Sequence, residues 1–211
     1  MTRFIDRIGA FLRQLFKGRI DSPQALRIRD SVHFGPMPVA SLDGLRLRVT
    51  EINTRQADHR RSPVFTLTHE SGLRLFMHVQ GDAETPLVVS QRVERSEVSR
   101  LFDLAQFARL FEDKDGPLTL DRREEPDTLA GWTVPRYHLV EDAGKEVHIP
   151  GDYRDSAFLP SPSAGLGLDR YRLTDPGGVL SVEVEVYDSG ETEVFTSLRV
   201  GLDRIVEMRP G

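Results

Sequence analysis

The sequence predicts an α+β protein, with a predominantly antiparallel β-sheet, one central core helix and an N-terminal amphipathic helix. Three observations carry that expectation. Residues 2 to 19 place apolar side chains at helical spacing among basic ones; from Gly44 the pattern switches to period two; and one stretch, Ser96 to Phe111, breaks that alternation with steps of three and four. The chain divides accordingly into a basic helix over 1–20, a tether over 21–43 and a single strand-rich domain over 44–211.

In the first segment Phe4, Ile5, Ile8, Phe11, Leu12, Leu15 and Phe16 fall on one stripe, with Thr2 as a cap and Gly18 where the helix would stop. Arg3, Arg7, Arg13, Lys17 and Arg19 against Asp6 give residues 1–20 a charge of +4, which leaves −9 on the rest of a chain whose total is −5. Arg7 and Arg13 interrupt any signal-peptide core, and the stretch is poor in serine for a transit peptide. Ser22 and Pro23 open a short turn, and Pro36 and Pro38 enforce an extended connection.

Four alternating runs follow: Leu45 to Ile52, Val64 to His69, Leu73 to Gln80 and Leu87 to Val93. Their short, turn-rich connectors predict a hairpin meander. Ser96 then caps the core helix, whose stripe is Val98, Leu101, Leu104, Ala105, Ala108 and Phe111; Phe102, Phe107 and Leu110 widen it, and Asp115, Gly116 and Pro117 end it. Beyond it strand character returns. "RYHLVEDAGKEVHI" (136–149) and "RYRLTDPGGVLSVEV" (170–184) share a strand, turn, strand plan that suggests a duplicated hairpin.

Chemistry is sparse. The absence of cysteine removes disulfides, thiolate metal sites and cysteine nucleophiles. The six histidines show no i, i+4 helical pair, although His69 and His78 could still approach across their predicted hairpin; no metal and no cofactor is expected. The mixed-sign run Asp121 to Asp127 reads as a solvated loop. "GLGLD" precedes a strand rather than a helix, so it is no dinucleotide fingerprint. The long Pro-rich stretch from His148 to Tyr171 gathers His148, Asp152, Arg154 and Asp155 and is the candidate ligand loop. An acidic body excludes a nucleic-acid partner.

The stretches "LTLDRREEP", "HIPGDYRDSAFLP" and "DRYRLTD" are similar to the YjfK-like family of bacterial proteins of unknown function, over most of the chain from about Gly72. That resemblance supplies no catalytic residues. It implies an accessory role in envelope homeostasis beside a phage-shock-protein-A-like coiled coil. The expectation is therefore a non-enzymatic cytoplasmic adaptor that meets an anionic membrane surface, peripheral on the inner membrane, or a partner helix through residues 2–19. The alternative is an enzyme or small-ligand-binding protein that uses the 148–170 loop.

Overall fold

The computed structural model describes residues 18–58, 60–80, 86–112, 117–157 and 165–211. The expected N-terminal helix, from Arg3 to Lys17, lies outside them, as do Asp115, Gly116 and the Ser-Pro-Ser stretch at 161–163.

The strands are β1 (Ser31–Phe34), β2 (Arg46–Ala57), β3 (Arg60–Thr68), β4 (Arg74–Val79), β5 (Leu87–Val93), β6 (Thr119–Asp121), β7 (Arg136–Ile149), β8 (Leu166–Thr174), β9 (Leu180–Tyr187), β10 (Thr192–Val200) and β11 (Ile205–Arg209). Two short helices, α1 (Arg95–Leu101) and α2 (Leu104–Ala108), follow β5. All pairings are antiparallel, in the order β11-β1-β2-β3-β4-β5-β10-β9-β8-β7-β6, with a further pairing between β2 and β7.

That last pairing closes eight strands, β2-β3-β4-β5-β10-β9-β8-β7, into a ring. Strand length makes it possible. β2 has 12 residues, so Arg46 to Arg48 can pair with β1 while Thr54 to Gln56 pair with Val147 to Ile149; a bulge between Val49 and Glu51 separates the two uses. β7, with 14 residues, divides in the same way between β6 and β2. Each half of the chain thus repeats one plan, a short strand paired to the first member of a four-stranded meander, and the halves meet through β2–β7 and β5–β10.

The duplicated hairpin is corrected by this topology. Residues 136–149 form one strand, because "EDAG" makes two bulges rather than a turn, with Ala143 at φ 49°. The central helix is also corrected. Phe102 leaves the helical conformation, bridges to Arg122 and is fully buried, and Asp103 starts α2 by accepting from the N–H groups of Ala105 and Gln106 at 2.9 and 3.1 Å. Ser96 lies inside α1, and at its start Glu97 accepts from the Glu94 N–H at 3.1 Å. The buried positions are Val98, Leu101, Phe102, Phe107 and Leu110, whereas Leu104, Ala105, Ala108 and Phe111 are exposed. The helices therefore lie on the outside of the ring rather than at its centre.

Alternation gives each ring strand two faces. One face carries Ile52, Phe65, Met77, Val89, Val184 and Leu198; it joins one hydrophobic cluster with Leu26, Phe34, Leu42, Leu101, Phe102 and Trp132, supplied by the segments that wrap the ring. The stretch 21–43 belongs to this layer, with β1 paired on both sides. The other face, turned inward, carries charged and polar side chains beside apolar ones such as Phe76 and Phe195. The proof is Arg55 on β2, which reaches Glu185 on β9, three strands away around the ring.

Candidate functional site

The 148–157 stretch is tied down by its own polar groups. Thr54 Oγ1 donates to the Gly151 carbonyl at 2.8 Å and accepts from the Tyr153 N–H at 2.8 Å; Asn53 Oδ1 accepts from the Gly151 N–H at 2.9 Å. Arg154 bonds Asp152 through Nε at 2.8 Å and Nη2 at 2.6 Å, donates to the carbonyls of Gln24 and Leu26, and covers the Phe65 ring at 5.2 Å. The bond from Arg154 holds the Asp152 carboxyl below its ordinary range. Two of the four candidate loop residues are thus brought together as a clasp between the loop and the 24–26 segment. Asp155 is exposed, and His148 turns inward from the end of β7, its ring 6.2 Å from that of Tyr187 in an edge contact. His69 bonds Ser71 in the β3–β4 turn, while His78 lies inside the ring. Of the basic candidates in the first segment, Arg19 is described and exposed.

The interior holds charged groups that sequence reasoning missed. In "VEVEVY" Glu183 and Glu185 alternate with valines, a pattern that signals a two-faced strand without saying that the acidic face points inward. Arg55 lies 3.1 Å from Glu146 and pairs with Glu185; Arg170 reaches Glu146 at 3.1 Å and Glu141 at 2.9 Å; Arg172 reaches Glu141 at 3.3 Å. Tyr187 donates to Glu185 at 2.9 Å and approaches Glu193 at 3.3 Å, Glu193 pairs with Arg92 at 2.8 Å, and the Ser90 and Ser197 hydroxyls meet at 2.8 Å. Such pairing is what permits this many charges to be buried.

The electrostatics follow from burial and neighbours. Burial works against the Arg55 charge, yet Glu185, Glu146 and Glu183 together raise its pKa. Burial pushes the Glu146 and Glu193 carboxyls up. It pushes His78 down to about 3, helped by the Arg55 charge, so this imidazole is neutral at pH 7. Glu183 is opposed by burial too, but Arg170, His78, Arg55 and Arg199 together hold its carboxyl below the ordinary range.

Between these groups lies a cavity of about 60 Å³, walled by His78, Ser90, Glu183, Phe76 and Phe195 and rimmed by Asn53, His148, Tyr187 and Glu193. A wider surface cleft, of about 700 Å³, runs between α1, α2 and the β9–β10 turn, with Val98, Leu104 and Phe107 on its apolar side and Arg92, Arg95 and Glu191 among its charges. Among the described residues no group of three His, Asp or Glu side chains is placed to hold a metal ion, and no helix is long and apolar enough to cross a membrane. Comparison with known proteins returned no matching family model, curated protein or solved structure.

Proposed function

We propose that this chain is a non-enzymatic accessory protein that attaches to an anionic membrane surface through residues 2–19. The observation that carries this reading is the sequence stripe itself, seven apolar side chains with Arg3, Arg7, Arg13, Lys17 and Arg19 around them. The structure supports it by giving the segment a fixed root. The Ile20 N–H donates to the Met208 carbonyl at 3.1 Å on β11, the outer strand of the sheet, and Gly18 just before it has φ +148°, a backbone state that suits glycine. Each basic side chain near an anionic surface contributes about 1 kcal/mol. Repulsion from a body of net charge −9 falls off within a Debye length of about 8 Å, so a barrel held off the surface resists little. The family resemblance, with its phage-shock-protein-A-like neighbour, favours the cytoplasmic face of the inner membrane.

Flotation tests this reading. The full chain should rise with vesicles that contain phosphatidylglycerol, stay down with phosphatidylcholine alone, and be released by high salt; replacing Arg7, Arg13 and Lys17 by Glu should abolish flotation while the barrel stays folded. A folded full chain that remains down with anionic vesicles at low salt ends the membrane reading, and association with a coiled-coil peptide would then assign the stripe to a partner helix.

A further inference from the structure

Ion pairing accounts for nearly every acid inside the barrel: Glu146 and Glu185 have Arg55, Glu141 has Arg170 and Arg172, and Glu193 has Arg92. Glu183 is the exception. It is 3% exposed, it has no ion-pair or hydrogen-bond partner among the described residues, and its Oε1 is a buried acceptor left empty. His78, 8% exposed, lines the same cavity as Glu183. Buried polar groups in folded proteins are bonded, and buried charges are paired. Both groups face a cavity inside the ring.

We propose that this cavity is a binding site for a small organic cation, a primary ammonium or an amidinium, whose N–H groups sit on Glu183 and His78 and whose carbon lies against Phe76 and Phe195. The unpaired carboxylate points to a cation. Of the lining acids Glu185 pairs with Arg55 and Glu193 with Arg92, which leaves Glu183, in the field of Arg170, Arg55 and Arg199 but in an ion pair with none of them, as the acceptor a ligand N–H would meet. The neutral His78 imidazole offers an acceptor without adding positive charge, and the Glu183 carboxyl is held below the ordinary range. The rings of Phe76 and Phe195 meet edge to face at 5.4 Å, and aromatic walls favour cations. Size selects the class: about 60 Å³ has room for roughly five water-sized centres, which suits a ligand of a few heavy atoms. The lining residues all lie between Asn53 and Phe195, so flotation and ligand binding are read as separate outcomes.

The test is an NMR titration of the full chain with ethylammonium, acetamidinium, acetate and ethanol. Both cations should give saturable shifts at Val182, Glu183, Val184, His78 and Ser90, while acetate and ethanol give none. Glu183→Gln should weaken binding by about tenfold or more, the worth of a charge-assisted contact. Should that variant not fold, Phe195→Leu, which keeps the carboxylate and removes an aromatic wall, should weaken the cations severalfold. The proposal is overturned if neither cation saturates, if acetate or ethanol binds as well, or if a folded Glu183→Gln or Phe195→Leu binds unchanged; the cavity then holds water only.

Discussion

His78 is a base enclosed where its charge is opposed by burial and by Arg55, and the consequence of that enclosure is a pH dependence whose sign can be worked out. Its folded pKa, about 3, lies below the ordinary 6.5. The unfolded chain therefore binds a proton below pH 6.5 that the folded chain refuses. The stability this provides is complete above pH 6.5 and drains away as pH falls from there toward 3. Between pH 7.5 and 5 the loss from this one group is about 2 kcal/mol. His148 acts in the same sense, while Glu146 and Glu193, whose carboxyls are pushed up, act in the opposite one. Urea titrations at both pH values on the parent and on His78→Asn isolate the term: the variant should lose about 2 kcal/mol less than the parent. An equal loss in both would show that His78 is protonated in the folded state.

A similar separation of roles holds at the scale of the helices. Phe102, in the break between α1 and α2, stacks on Phe107 at 6.0 Å and meets Tyr137 edge-on at 6.1 Å, fully enclosed. Phe102→Ala should cost about 3 to 5 kcal/mol. Leu104, two residues on and part of the helical stripe in sequence, is 57% exposed, so Leu104→Ala should change stability by less than about 0.5 kcal/mol. Comparable losses at both positions in a denaturant titration would restore a single continuous helix with the stripe as its buried face. The sequence pattern gave both residues to the apolar face of one helix; Phe102 is buried as expected, and Leu104 is not. Asp103, a better helix starter than a helix interior residue, and the pairing of Phe102 with Arg122 override the 3.6-residue period.

Around the whole barrel the two junctions between the halves differ in strength. β5 and β10 meet over seven residue pairs, centred on the Ser90–Ser197 contact, whereas β2 and β7 meet over three. The shorter junction should open first. In native-state hydrogen exchange the amides of the β2–β7 junction, around Thr54 to Gln56 and Val147 to Ile149, should exchange at lower opening free energy than those of β5 and β10. Equal protection at both would mean that the ring opens only by global unfolding.

By itself the sequence determined the first meander, β2 to β5, and its antiparallel order, because period-two alternation and short turns are local properties; β4 and β5 fall within a residue of the runs read from Leu73 and Leu87, whereas β7 reads locally as two strands. It also gave residues 2–19 apolar and basic side chains at helical spacing, and it gave the burial of Leu101 and Phe102. Only the tertiary structure decided which face of each strand turns inward, because alternation is symmetric until a partner strand and a covering layer break the symmetry. Closure of β2 onto β7, more than 90 residues apart, placed Arg55, Glu146 and Glu185 together, buried Glu183 beside His78, and turned Arg154 from a candidate ligand group into a clasp. Contacts of that span leave no periodic trace in the chain, since each residue in them reads locally as an ordinary solvent-facing charge.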